Sequence, residues 1–377
     1  MTRIRLGMVG GGKDAFIGAV HRIAARIDDR YELVAGALSS TAERSAESAE
    51  ALGIERSYGS FEEMAEAEAA REDGIEAVSI VTPNHVHYPA AEAFLKRGIH
   101  VICDKPLTAT MEDAHALVAA AESSKAQFIL THNYTGYPLI RQARKMVADG
   151  TLGKIRVVQA EYAQDWLTEP LEGEGVKQAE WRTDPARSGA GGCVGDIGTH
   201  AYNLAAFVSG LKLDSLAADL DSFVEGRRLD DNVHVMLRYE GGAKGMLWSS
   251  QVAPGNENGL TLRVYGEKGG ISWGQENPNV MLYTPYGQPT QILTRGGSGA
   301  TAENIDVTRT PSGHPEGYLE GFANLYNEAA DVIVAARDGK TVDHVLPTVQ
   351  DGLDGMQFID ACVRSSASDA AWVKIHG

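Results

Sequence analysis

The stretch Ile4-Arg5-Leu6-Gly7-Met8-Val9-Gly10-Gly11-Gly12 decides the fold. Its first six residues are mostly apolar and read as a buried strand. After the three glycines comes a helix-like run from Gly18 through His21 and Ile23 to Ile27. Strand, glycine turn and helix make the opening unit of a dinucleotide fold. Glycines let the backbone approach a pyrophosphate, and the helix N-terminus adds partial positive charge. Gly10 and Gly12 fit the first two positions of G-x-G-x-x-G, and Phe16 and Ile17 join them as candidate cofactor contacts. Position 15 is Ala, so Gly18 is the third glycine only if three residues are inserted. A glycine turn taken alone serves a structural turn equally well, so the surrounding pattern has to carry the reading.

Outward from there, Leu33 to Leu38 reads as the second strand. An acid is expected at its end to bind a ribose 2′-hydroxyl. Ser39 and Ser40 stand there instead, with Arg44 shortly after. Two readings are open: these residues accept a 2′-phosphate, or the serines cap the next helix while Arg44 is solvated. Helices are expected over 42–52 and 61–71. Ala77 to Val81 is the next buried strand, ending in Thr82-Pro83-Asn84-His85-Val86-His87. Then comes Ile99-His100-Val101-Ile102-Cys103-Asp104-Lys105-Pro106-Leu107, an apolar run stopped by an acid, a lysine and a proline. Pro106 has no N–H, so the ladder ends there and Lys105 sits at the carboxyl end of a strand. That is the edge where open α/β sheets bind ligands. A further helix over 111–124 and the strand Phe128–Leu130 complete a parallel, doubly wound sheet over residues 1–132.

The pattern changes at Thr131 to Pro138, a polar and aromatic junction. After a helix to Gly150, strands are expected over 155–162, 216–224, 232–240, 244–251, 260–265 and 280–284. Gly241-Gly242 reads as a hairpin turn. Residues 286–313 read as a loop, and helices near 317–337 and 346–365 close the chain. Residues 133–377 are thus expected to form an α+β domain with a largely antiparallel open sheet for substrate binding and oligomerisation.

The chain has 377 residues, enough for two domains. Its net charge of −17 argues against nucleic acid or an anionic membrane surface as a partner. No apolar run spans a bilayer, and the N-terminus enters a strand at once, so a cytoplasmic protein is expected. Cys103, Cys193 and Cys362 form no CxxC, and nothing completes a metal site with His85 and His87. An uncovered sheet face would suit a homodimer or homotetramer.

A second polar constellation is Ala190-Gly191-Gly192-Cys193-Val194-Gly195-Asp196-Ile197-Gly198-Thr199-His200, leading into a helix through Phe207. On a helix Asp196 and His200 share a face. The carboxylate can fix the imidazole tautomer and leave the other nitrogen as a base. A helix-capping pair explains the same spacing about as well.

Together these motifs resemble the Gfo/Idh/MocA oxidoreductases, in the order glycine turn, Thr82 to His87, Asp104-Lys105-Pro106-Leu107, and Gly191-Gly192 through Asp196-x-Gly198-x-His200. The family usually has Glu where Asp104 stands, and an acid where Asn203 stands. The resemblance implies that Lys105, Asp196 and His200 form the catalytic set. It implies that Asn84 and His85 lie near the nicotinamide half of an NAD or NADP cofactor, with Thr82, Pro83, His87 and Asp104 as further cofactor contacts, and that Tyr134 meets substrate. Asp165, Trp166, Trp181, Arg182 and His314 are weaker candidates for shaping the substrate pocket. The implied activity is oxidation of a secondary hydroxyl of a sugar, sugar derivative or inositol-like cyclitol. The alternative on the same scaffold is glycoside hydrolysis by transient oxidation, elimination and re-reduction.

Overall fold

Six parallel strands organise the first half of the chain in the computed structural model, which describes residues 3–376. They are β1 (Ile4–Gly10), β2 (Tyr31–Ala37), β3 (Arg56–Ser57), β4 (Ala77–Val81), β5 (His100–Cys103) and β6 (Phe128–Leu130). Their spatial order is β3-β2-β1-β4-β5-β6, so the chain reverses its winding between β1 and β4. That reversal opens a crevice at the carboxyl ends of the strands. β4 is buried along its whole length, as a parallel sheet covered on both faces requires. Helices with ordinary side-chain caps lie between strands: Thr41, Ser60 and Thr110 each accept an amide of the first turn.

The chain separates into two compact units, Met1–Asn133 with Tyr318–Leu353, and Tyr134–Gly317 with Asp354–Gly377. The expected single cut after residue 132 is therefore corrected. Helix Tyr318–Arg337 belongs with the first sheet because Phe322, Tyr326, Ala329 and Ile333 bury their apolar face against Ile4, Leu6, Val20 and Ala24. Leu130 N–H also donates to the Pro347 carbonyl at 2.9 Å, extending that return along the β6 edge.

The second unit holds β7 (Ile155–Ala163), β8 (Leu213–Asp221), β9 (Asn232–Tyr239), β10 (Lys244–Ser250), β11 (Gly259–Gly266), β12 (Gly269–Gly274), β13 (Val280–Pro285), β14 (Gln291–Thr294) and β15 (Val373–Lys374). They form one nine-stranded sheet in the order β14-β13-β12-β11-β7-β10-β9-β8-β15. Every neighbouring pair is antiparallel except β7 with β10. Gly241 and Gly242 take φ of +76° and +94° in the β9–β10 turn, a conformation that favours glycine. Strands β12 and β14 and the short helix Ala302–Ile305 stand where a loop, or nothing, was expected. β9 alternates buried Val233, Val235 and Leu237 with exposed His234, Met236 and Arg238, so one sheet face is covered and the other open. Val157, Met236, Met246 and Tyr265 are exposed on the strands β7, β9, β10 and β11.

Candidate active site

The glycine turn after β1 is built for close approach. Gly10 and Gly11 have φ of +76° and +68°. A Cβ on Gly10 would stand 2.8 Å from the Val81 carbonyl oxygen, and one on Gly12 2.9 Å from the Leu38 carbonyl oxygen. A Cβ on Gly18 would stand 2.4 Å from Gly11 Cα, so Gly18 supplies the tight helix–loop packing that the third glycine of the motif provides. From below, the buried Arg22 guanidinium donates to the Gly11 carbonyl. Helix Phe16–Ile27 begins at Ala15 with no side-chain cap, unlike the helices begun by Thr41, Ser60 and Thr110. A side-chain-free cradle at a helix N-terminus fits a dinucleotide pyrophosphate. Phe16 is exposed, Ile17 half-buried, and the Phe16 ring stacks on Tyr318 at 6.4 Å. At the end of β2, Ser39 is half-buried while Ser40 and Arg44 are exposed. The helix cap expected of Ser39 or Ser40 is Thr41, because its hydroxyl rather than theirs receives the Arg44 amide.

At the carboxyl ends of β4 and β5 the polar groups gather as expected. Asp104 and Lys105 are half-buried, and the Lys105–Pro106 peptide is cis. Asp104 Oδ1 accepts from Lys105 N–H at 2.8 Å and from Thr131 Oγ1 at 3.3 Å. His87 is fully buried, with Nδ1 2.8 Å from the Pro106 carbonyl oxygen and Nε2 3.0 Å from that of Thr82. Burial lowers its pKa, and a neutral ring donates to only one of those carbonyls. His87 thus ties two loops together, the one bearing Thr82, Pro83 and Asn84 and the one bearing Lys105. Thr82 and Pro83 are half-buried and Asn84 is buried. His132 follows β6 on the same edge and was read from sequence only as part of the polar junction; burial, reinforced by the Lys105 charge, pushes it down to about 3.

In the second unit the helix expected to carry Asp196 and His200 is not uniform. Val194–Gly198 is a π-helical turn, and the α-helix Thr199–Ser209 follows it. Such turns recur at functional sites because they re-aim side chains. Asp230 secures the turn: its carboxylate accepts Gly192 N–H at 2.6 Å and Val194 N–H at 2.7 Å. Burial raises the Asp230 carboxyl to about 6 against the pull of those amides. Asp196 Oδ2 accepts from Arg182 Nε at 3.0 Å and from Gln251 Nε2 at 2.9 Å. The Arg182 guanidinium lies 4.2 Å from the centre of the Trp181 ring. The His200 ring meets Tyr134 edge-on, with centres 5.0 Å apart. Tyr134 and Tyr162 share a hydroxyl–hydroxyl bond of 2.6 Å, and Tyr162 donates to Asn258 Oδ1 at 2.7 Å. Burial raises the Tyr134 pKa, so this hydroxyl stays protonated.

Two of the weaker candidates, Asp165 and His314, lie in loops of the second unit. Asp165 Oδ2 accepts Gly255 N–H at 3.1 Å and secures that loop. His314 is exposed, and its carbonyl accepts from Arg295, which is paired with buried Glu316 at 3.1 Å. Asn203, where an acid was expected, is buried on its helix. Gln251, Tyr162 and Asn258 were not singled out from sequence, since lone polar residues at strand ends carry no spacing signal. Among the described residues no group of three or more His, Cys, Asp or Glu could hold a metal ion, and no helix is long and apolar enough to cross a membrane.

A Rossmann unit with a pyrophosphate cradle and a strand-end lysine, followed by a mostly antiparallel sheet, defines an NAD(P)-dependent oxidoreductase acting on CH–OH groups. Residues 4–143 match the model described as the oxidoreductase family with an NAD-binding Rossmann fold, and residues 140–272 match the GFO/IDH/MocA C-terminal domain. The chain belongs to the Gfo/Idh/MocA oxidoreductase family. It is 37% identical to an uncharacterised oxidoreductase of Bacillus subtilis, over 98% of this chain and 96% of the relative. A solved oxidoreductase from Sinorhizobium meliloti shares 60% identity at a TM-score of 0.90, covering 99% of this chain and all of the other (100%). An inositol dehydrogenase homologue from Azotobacter vinelandii, solved with NADH and myo-inositol, shares 36% identity at a TM-score of 0.93, over 99% and 98% of the two chains.

Proposed function

We propose that this protein oxidises a secondary hydroxyl of a small polyol, a cyclitol or sugar, with NAD or NADP as acceptor. The setting of His200 carries this reading. The imidazole stands edge-on to Tyr134, whose hydroxyl opens a chain through Tyr162 to Asn258. Convergent hydroxyl and amide groups suit a ligand that presents several hydroxyls. The myo-inositol held by the Azotobacter vinelandii homologue is such a ligand.

His200 takes the hydroxyl proton, and Lys105 stabilises the developing oxyanion. Asp196, itself held by Arg182 and Gln251, is assigned to orienting the base. Gly10, Gly12, Phe16 and Ile17 hold the cofactor pyrophosphate region. Ser39, Ser40 and Arg44 meet the adenosine ribose, and Thr82, Pro83, Asn84 and Asp104 the nicotinamide end. The bound nicotinamide supplies the hydride acceptor. The test is incubation with a panel of cyclitols, sugars and glycosides plus either dinucleotide, following reduced nicotinamide and products. Stoichiometric reduced nicotinamide with a ketone product is expected. Glycoside cleavage without net reduction, or reduction by no polyol, would overturn the reading.

We also infer self-association through the open sheet face, where Val157, Met236, Met246 and Tyr265 are exposed. Light scattering should give a dimer or tetramer for the native chain and a smaller species for Met236→Lys with Met246→Glu. A native monomer at micromolar concentration would refute it.

A further inference from the structure

The first unit has a second concavity, made by the residues that precede the strands, at the amino edge of the parallel sheet. Its volume is about 350 Å³, and it is lined by five cationic side chains, Arg5, Arg71, Arg97, Lys125 and Arg337, against the carboxylates of Glu68, Glu72 and Glu76. A basic concavity is unexpected in a chain of net charge −17.

The local pairing leaves cation in excess. Glu76 serves two arginines at once, Arg5 at 3.5 Å and Arg337. Glu68 is already engaged by Arg56 at 2.7 Å, and Arg71 by Asp73 at 2.9 Å. Arg97 donates to the Ala93 carbonyl at 2.9 Å, so its bond goes to a backbone oxygen rather than to a carboxylate. Lys125 is exposed, next to the Ala126–Gln127 segment that enters β6. His100 adds a donor: its Nδ1 accepts Gln127 N–H at 2.9 Å, which leaves the ring proton on Nε2. Guanidinium groups in a fork, an ammonium and an imidazole N–H are the donor set that recognises phosphate or carboxylate oxygens. The volume is at the small end of the range for small-molecule sites.

We propose that this concavity is a binding site for a small anion of the phosphate or phosphate-ester class, separate from the pyrophosphate cradle at the carboxyl edge. Arg97 and Lys125 are its principal contacts, and Arg5 and Arg337, sharing one carboxylate, complete the positive wall.

The test uses the full-length protein saturated with NADH, so that the cradle after β1 is filled. Inorganic phosphate is titrated calorimetrically, with sodium chloride of equal ionic strength as the blank. One saturable site is expected. Arg97→Ala and Lys125→Ala should each weaken it on the order of tenfold, with NADH affinity unchanged. Lys125→Glu, a charge reversal at an exposed position, should abolish the heat while leaving the melting temperature in chloride within a degree or so. Glucose 6-phosphate as a second titrant should bind at the same site if the ligand is a phosphate ester, and fail to bind if it is free phosphate. No saturable heat in the NADH-saturated protein, or identical binding in native and variant proteins, would each overturn the proposal.

Discussion

Gly18→Ala is the sharpest test of the glycine cradle, because two principles predict opposite signs. Gly18 lies in the first turn of helix Phe16–Ile27. Replacing glycine by alanine in a helix normally stabilises by roughly 1 kcal/mol. Here the new methyl would stand 2.4 Å from Gly11 Cα, 2.5 Å from the Gly11 oxygen and 2.8 Å from its carbonyl carbon. All three are backbone atoms, so no side chain can swing aside. Ordinary van der Waals separation needs about 1 Å more, which the helix gains only by lifting off the loop. Overpacking of this kind costs about 1–3 kcal/mol, so the net effect is destabilisation by up to about 2 kcal/mol. For a unit of this size that is a fall of roughly 4–8 °C in melting temperature. The loop that moves is the one proposed to hold the pyrophosphate, so NADH affinity should fall by about tenfold, equivalent to some 1.4 kcal/mol of binding free energy. Gly53→Ala is the control: φ there is +67° and nothing lies within 4 Å of its Cβ, so it should cost stability and leave NADH binding alone. Melting curves and fluorescence titration of NADH decide the matter. A Gly18→Ala protein as stable as the native chain, binding NADH within about threefold, would refute the close-packing argument.

Lys105→Met should depress turnover about a hundred- to a thousandfold while NADH binding persists, and a variant within a few-fold of native would remove Lys105 from the mechanism. Arg182→Ala and Gln251→Leu each take one donor from Asp196; kcat should fall about tenfold with KM for NAD unchanged, whereas a loss confined to melting temperature would make them structural only. Arg44→Ala should weaken NADP more than NAD, and equal effects would show that Arg44 is merely solvated. Acid should destabilise the fold: His21 is depressed to about 4 by burial, so below pH 6.5 the unfolded chain binds a proton that the folded chain refuses. Its contribution is present above pH 6.5 and declines as pH falls to 4, by about 3 kcal/mol in all, so urea midpoints should drop over that window and His21→Asn should flatten the slope.

What was legible in the sequence is what local physics enforces. Lys105 could be placed because an apolar run stopped by Pro106 has one reading, a strand end. The bounds of helix Ala42–Leu52 were legible, although its cap is Thr41 rather than Ser39 or Ser40. Helix Tyr318–Arg337 was legible as a helix but not as part of the first unit. Its partners on the first sheet and helix are some three hundred residues upstream, and no spacing rule reaches that far. β12 was hidden for a different reason. Gly269, Ile271 and Trp273 alternate inward as a strand demands, but three of its six residues are glycine, which reads as a turn.

The polar surroundings of Asp196 show why the constellation in the second unit was less legible than the one in the first. Glycines stand just before its π turn and at the turn's end, where other segments come close. A Cβ on Gly192 would stand 2.2 Å from the Asp230 carbonyl oxygen, and one on Gly198 3.0 Å from Ser249 Oγ. In the sequence these glycines read only as a lead into a helix. In the fold they let one segment press against the start of β9 and the end of β10, so that Gln251, just beyond β10, delivers its amide to Asp196. The same device operates at Gly10 and Gly18, where it was readable because strand, glycines and helix follow one another directly. At Asp196 the segments pressed together come from residues 191–198, 229–230 and 249–251. A glycine therefore reports that something approaches, and only when the approaching segment is adjacent in sequence does it also report what.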